Sequence, residues 1–137
     1  MPKRYVDHYA GERRQTCRTP RDFFAKLHDK YSFTLDGAAL PENALLPRFS
    51  TEANPLPWDR ERVFCNPPWS NIGPFVELAA TAQFAALLVP ARTNVAWFHR
   101  ALELGAKLEF WQGRLTFREP HNSPVDCLLL VFGGERG

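Results

Sequence analysis

The sequence predicts an α/β fold, and three observations predict it. From Thr19 onward, stretches with an apolar period near 3.6 alternate with short β-rich stretches. Phe84–Val89 is a nearly continuous apolar run stopped by Pro90, the pattern of a strand covered on both faces, as in parallel sheets. Toward the C-terminus, β-type segments at 107–111, about 114–117 and 127–132 follow one another, which predicts an antiparallel strand pair at that end of the sheet.

The elements are justified in order. Residues 1–18 are polar and arginine-rich with no apolar period, and are read as a basic arm. Thr19-Pro20-Arg21-Asp22 opens a helix: Thr19 can cap it, Pro20 suits the first helical position, and Asp22 completes a capping-box-like pattern. Phe23, Phe24, Leu27 and Tyr31 form its inward side. A short strand at 32–36 runs into the small-residue turn Gly37-Ala38-Ala39. Four prolines between 40 and 60 forbid long regular elements there, so a wrapped loop is expected, with short structure around Phe49. Arg62–Cys65 is a strand leading directly into Asn66-Pro67-Pro68-Trp69. Gly73-Pro74 starts a helix with Phe75, Leu78, Ala79 and Ala82 inward. A further helix at 93–104 turns Val95, Phe98, Ala101 and Leu102 inward and closes on Gly105 at its C′ position.

The chain has 137 residues, 45% of them hydrophobic and 11 of them Phe, which suits one core and one domain over 19–137. Such a domain buries roughly two-thirds of its unfolded surface, enough to fold without disulfides or metals. Cys17, Cys65 and Cys127 are odd in number with no C-x-x-C spacing, so free thiols in a reducing cytosol are expected, and no metal site. No apolar stretch reaches the roughly 18 residues of a membrane span, and no signal peptide follows Met1, so a soluble cytoplasmic protein is expected. The net charge of +2 is uneven: residues 1–30 hold eight Lys and Arg against four acidic residues. Such an arm can bind phosphates, or can simply be solvated. His8, His28 and His121 have no ligand spacing and are read as surface residues, and His99 is not needed as a base.

The sharpest chemical feature is Asn66-Pro67-Pro68-Trp69 after a buried strand and before a helix. Ligands of open α/β sheets lie beyond the carboxyl ends of the strands. The prolines fix the backbone without donating hydrogen bonds, leaving carbonyls to accept, and Asn66 adds its Oδ1. An exocyclic amine held between Asn66 Oδ1 and the Pro67 carbonyl has its lone pair directed at an incoming methyl group. That work is orientation and stabilisation of developing positive charge, with no strong base. Trp69 offers a face on which an extruded base can stack. The plainer alternative is a proline turn with a packing Trp.

Asn-Pro-Pro-[Tyr/Phe/Trp] is the catalytic motif of amino methyltransferases acting on adenine, cytosine N4 or glutamine amides. From Thr19 on, the chain resembles the phage DNA adenine-N6-methyltransferase family. The matching blocks are Thr19-Pro20, Phe33–Ala39, Asn43, Trp58, Val63–Ser70, Leu88–Thr93, Trp97-Phe98-His99 and Gly113–Phe117. The resemblance implies a Rossmann-like class I methyltransferase fold, S-adenosyl-L-methionine as cofactor and DNA as partner, in a bacterial host carrying a phage or prophage. It implies that Asp36, Gly37 and Ala38 form the cofactor turn, with Asp36 on the methionine amino group. Thr19 and Pro20 would close over the carboxylate, while Asn43 and Asn54 are candidates for the cofactor's ribose or adenine. The turn departs from the common Gly-x-Gly form, though residues as small as 37–39 allow close backbone approach. Asp36 could instead be a turn residue.

Ser70, Arg92 and Thr93 are candidate DNA contacts, Arg92 on a phosphate or else in a structural ion pair. Only 29 residues separate Asp36 from Asn66, and 20 follow Phe117, so a large target-recognition insert is lacking. Specificity would then come from short loops such as 40–60 and 118–126, or be low. Transfer to RNA or to protein glutamine, and an inactive remnant, are the competing readings; a decayed enzyme tends to lose motif residues first, and Asn66, Pro67, Pro68 and Trp69 are all of allowed types.

Overall fold

The computed structural model of the chain describes residues 19–111 and 126–133. The arm at 1–18, Cys17, His8, His121, the strand at 114–117 and most of the loop at 118–126 lie outside the described residues. Eight elements follow in order: α1 (Arg21–Tyr31), β1 (Leu35–Asp36), β2 (Arg62–Cys65), α2 (Gly73–Thr81), β3 (Phe84–Pro90), α3 (Ala96–Glu103), β4 (Lys107–Glu109) and β5 (Cys127–Phe132).

The strands form one sheet in the order β1-β2-β3-β5-β4. β1, β2 and β3 are mutually parallel, while β5 is antiparallel to both β3 and β4. Four strands therefore point one way and β5 alone is reversed, which gives the α/β sheet with the expected antiparallel pairing.

All seven residues of β3 are buried because both sheet faces are covered. On one face Leu35, Val63, Cys65, Ala85, Leu87 and Val89 meet Val76 and Ala79 of α2 and Phe98 and Ala101 of α3. On the other, Phe64, Phe84, Ala86 and Leu88 meet Phe24 and Leu27 of α1. The alternation of faces along each strand follows from the two-residue period of the pleat. The second face is largely aromatic: Phe24 lies edge-on to Phe64 at 5.2 Å, Phe33 is 5.6 Å from Phe64, and Tyr31 is 4.7 Å from Phe84. α1 also reaches the far edge of the sheet, where Tyr31 donates its hydroxyl to Glu109 on β4 and Lys30 pairs with the same carboxylate at 3.3 Å.

Several expectations are corrected by this packing. Pro20 occupies the N-cap of α1, in extended conformation and with no side-chain cap, and Thr19 lies one residue before it. Thr19 thus stands outside the N-cap position, and its hydroxyl accepts from Asn66 Nδ2. Asp22 bonds the adjacent Phe23 N–H instead of completing a box. Ser32 does not begin the strand: it takes a left-handed conformation (φ 55°) and ends α1, its N–H bonded to the His28 carbonyl. His28 is half-buried, not on the surface; it stacks on Phe24, and its Nδ1 accepts the Phe33 N–H at 3.1 Å.

In α2 the buried positions are Val76 and Ala79, with Ile72 just ahead. Their i, i+4, i+7 spacing sets the phase, which turns Leu78 out to solvent. In α3, Phe98 and Ala101 are buried while Leu102 is exposed. Gly105, at φ +94°, ends this helix as expected. Its N–H bonds Leu102 O and the Ala106 N–H bonds Ala101 O, each at 3.0 Å, the paired bonds of a Schellman cap. Cys65 is a buried free thiol, and Cys127 is half-buried at the start of β5.

The proline-rich loop is less irregular than its composition suggests. Its residues 48–50 run beside β1 through a parallel bridge between Phe49 and Asp36. Asp36 N–H bonds Arg48 O at 3.1 Å, and Ser50 N–H bonds Asp36 O at 2.9 Å. The edge of β1 is thereby covered by the structure expected around Phe49.

Candidate functional site

Because β1, β2 and β3 are parallel, their carboxyl ends face the same edge of the sheet. Asp36 ends β1, Cys65 ends β2 immediately before Asn66, and Pro90 ends β3 just before Arg92. Asp36 is level with Phe64, and Cys65 with Leu87. Three separately predicted candidates thus come to neighbouring strand ends.

Asn66 is half-buried, and its Nδ2 donates to Thr19 Oγ1 at 3.1 Å across 47 residues of sequence. Pro67 is buried, and among the described residues its carbonyl accepts no hydrogen bond. Pro68 differs from expectation: its carbonyl accepts the Asn71 N–H at 2.9 Å, closing a turn that carries Ser70 at the surface. The Pro68 carbonyl is thus taken by the turn, while the Pro67 carbonyl and the Asn66 amide stand together at this strand end. Trp69 is half-buried and packs against the apolar clusters on both sheet faces, so it is in part a wedge over the end of the sheet.

Asp36 is 3% exposed. Its Oδ2 accepts the Leu45 N–H at 3.0 Å and its Oδ1 the Ala38 N–H at 3.4 Å, so the carboxylate organises both the turn and the returning loop. Burial, and then the Asp36 charge, push the Cys65 thiol well above its usual range. Cys65 is therefore a protonated, inert neighbour.

Gly37 is needed for a reason the sequence does not reveal. A Cβ placed there would lie 2.5 Å from Trp58 Cζ2 and 2.9 Å from Val63 Cγ1. The space left by its missing side chain is filled by Trp58, itself 2% exposed. Gly37→Ala should therefore lower stability by about 1–3 kcal/mol through overpacking. Thermal unfolding of the variant checks this, with an unchanged midpoint as the contrary result.

The remaining candidates are placed as follows. Asn43 is spent on a local turn, its Oδ1 accepting the Leu40 N–H at 2.9 Å. Asn54 is exposed in a second turn, its N–H bonded to Thr51 Oγ1. Neither side chain is brought to Asp36 or Asn66 by these bonds. Arg92 and Thr93 are exposed past the end of β3, and among the described residues Arg92 makes no ion pair. His99 lies on the exposed side of α3 with Nε2 2.8 Å from the Thr93 carbonyl, where it steadies that loop. No group of three or more potential metal ligands occurs among the described residues, and no helix there is long and apolar enough to cross a membrane.

Sequence reasoning missed two residues that shape the site. Ser50 is 5% exposed and accepts the Leu56 N–H at 2.9 Å, folding the loop against β1. Leu45 supplies the backbone donor to Asp36. A backbone donor carries no sequence signal; the lone Trp58 in a proline-rich loop was the one visible hint that this loop is anchored.

The family described as DNA N-6-adenine-methyltransferase (Dam) matches residues 7–127. The DNA N-6-adenine-methyltransferase of Escherichia phage T1 is 33% identical over 134 residues, covering 90% of this chain and 56% of the relative. The chain thus spans about half the length of that curated relative. No solved structure matches the chain.

Proposed function

The chain belongs to the DNA N-6-adenine-methyltransferase family, and from that premise we propose that it transfers a methyl group from S-adenosyl-L-methionine to the N6 amine of adenine in DNA. The observation that carries the proposal is the placement of Asp36 and Asn66 at the carboxyl ends of adjacent parallel strands. This is where an open α/β sheet binds ligands, and it supports a Rossmann-like class I arrangement.

The residues present fit the cofactor. Asp36 provides a buried carboxylate beside a turn of small residues. A carboxylate has roughly four acceptor positions, so accepting from Ala38 and Leu45 is compatible with holding an ammonium group as well. Thr19 and Pro20, both buried, close the same end of the sheet. When bound, the cofactor supplies an electrophilic methyl group on a sulfonium.

The chain's own residues do the rest. Asn66 Oδ1 and the Pro67 carbonyl accept the two N–H bonds of the adenine amine, which aims its lone pair and stabilises the positive charge that grows on nitrogen. The amine releases a proton only after the new N–C bond forms, so no basic side chain is required. Trp69 lies under the flipped base, and unstacking that base from the duplex costs a few kcal/mol. Ser70, Arg92 and Thr93 are exposed beyond the carboxyl ends of β2 and β3 and can meet the target strand. Asn43, whose Oδ1 holds its turn, and the exposed Asn54 stay candidates for the ribose or adenine of the cofactor. The phage relative supports a place in the cytoplasm of a bacterial host.

The test is transfer of labelled methyl to unmethylated DNA, with nucleoside analysis for N6-methyladenine. Cofactor binding without transfer to DNA would favour an RNA or protein substrate, and no cofactor binding would favour a remnant. Asp36→Asn keeps an acceptor for Leu45 but loses the charge. It should weaken cofactor affinity by about 10–100-fold, the worth of one charge-assisted hydrogen bond. Titration calorimetry reads this directly, and unchanged affinity would remove Asp36 from the cofactor site.

A further inference from the structure

The hydrogen bond between Asn66 and Thr19 joins the residue that holds the amine to one at the cofactor end of the site, and none of the steps described above uses it. Resting on the proposed methyl transfer, we infer that Thr19 is a positioning residue for Asn66, its hydroxyl fixing the plane of the Asn66 amide. The terminal torsion of an asparagine is broad and roughly two-fold, so the backbone alone does not hold its oxygen in one direction. Asn66 stands one residue beyond β2, where the ladder to β1 and β3 has ended. A second anchor is needed, and Thr19 Oγ1, accepting the Nδ2–H at 3.1 Å, is one.

The anchor is itself rigid. Thr19 is 3% exposed and is followed by Pro20 at φ −61°. The Pro20 carbonyl accepts the Phe24 N–H at 3.1 Å, which starts α1. Phe24 is buried edge-on against Phe64, two residues before Asn66. The path from Asn66 through Thr19, Pro20, Phe24 and Phe64 back to Asn66 is a closed loop of fixed units. With the nitrogen of the amide turned to Thr19, its Oδ1 is presented on the opposite edge, toward the reacting amine.

The experiment compares the parent with Thr19→Val, which keeps shape and loses the hydroxyl, and Thr19→Ser, which keeps the hydroxyl and loses the methyl. Single-turnover methyl transfer to DNA and equilibrium cofactor affinity are measured for each. With cofactor saturating, Thr19→Val should slow transfer by about tenfold or more, the effect of a misoriented reacting group, beyond any loss of cofactor affinity. Thr19→Ser should transfer at close to the parental rate. The proposal is overturned if Thr19→Val transfers normally, if saturating cofactor restores its rate, or if Thr19→Ser behaves like Thr19→Val. The NMR signals of the Asn66 side-chain amide, assigned by their loss in Asn66→Ala, report the bond without turnover. They should shift in Thr19→Val and stay in place in Thr19→Ser, and signals unmoved in Thr19→Val overturn the anchor. A parent that transfers nothing to DNA sinks the reading of function, while these amide signals still decide whether Thr19 holds Asn66.

Discussion

Asn66→Ala should lower methyl transfer by about 10²–10³-fold, the cost of removing one preorganised group from a charge-stabilising site. The side chain is half-buried at a strand end, and its truncation leaves the core strands untouched. Stability should therefore change little, and cofactor affinity should persist because Asp36 is held independently by Leu45 and Ala38. Rate, affinity and thermal midpoint measured on one preparation check all three. A variant that transfers at the parental rate would remove Asn66 from the chemistry, and one that also loses its fold would make it a structural residue.

Phe64→Ala carries the largest expected loss of stability. Phe64 is fully buried in the central part of the sheet, and both Phe24 and Phe33 pack their rings on it. Truncating such a ring costs about 3–5 kcal/mol, a large share of the roughly 5–15 kcal/mol that a domain has in total. Chemical denaturation should show the midpoint falling with the slope unchanged. A thermal midpoint lower by on the order of 10–20 °C is the corresponding shift. A loss under about 1 kcal/mol would mean that the cavity refills, which the interlocked rings of α1 and the 33–35 segment oppose. The same variant removes the contact that sets α1 over the end of β2, so residual transfer should fall further than Asp36-dependent cofactor binding.

What was legible in the sequence is what repeats locally. The strand at Phe84–Pro90 announced itself because burial on both faces leaves no polar position, and Gly105 announced the end of α3 because its left-handed turn favours glycine. The strand ends carrying Asp36 and Asn66 could be read because motif and element coincide at one place in the chain. What could not be read depends on partners far apart in sequence. The Thr19 hydroxyl has the local signature of a helix cap, and only the arrival of Asn66 from 47 residues away gives it another use. On α2 and at its C-cap, Phe75, Ala79 and Ala82 do face the core, and only Leu78 was misjudged, because Ile72, which sets the phase with Val76 and Ala79, lies ahead of the glycine and proline that open the helix. The demand for glycine at 37 comes from Trp58, far along the chain, which a Cβ there would strike.

The strand order also has a consequence for synthesis. β5, last of the described strands along the chain, occupies an interior place between β3 and β4. Until it leaves the ribosome, the seven apolar residues of β3 present an open, unpaired edge, and β4 has no strand among the described residues to dock on. Such an edge is a template for association with other chains. The nascent protein is thus vulnerable to self-association until β5 emerges, and the strand that completes the described sheet is also the one that shields β3.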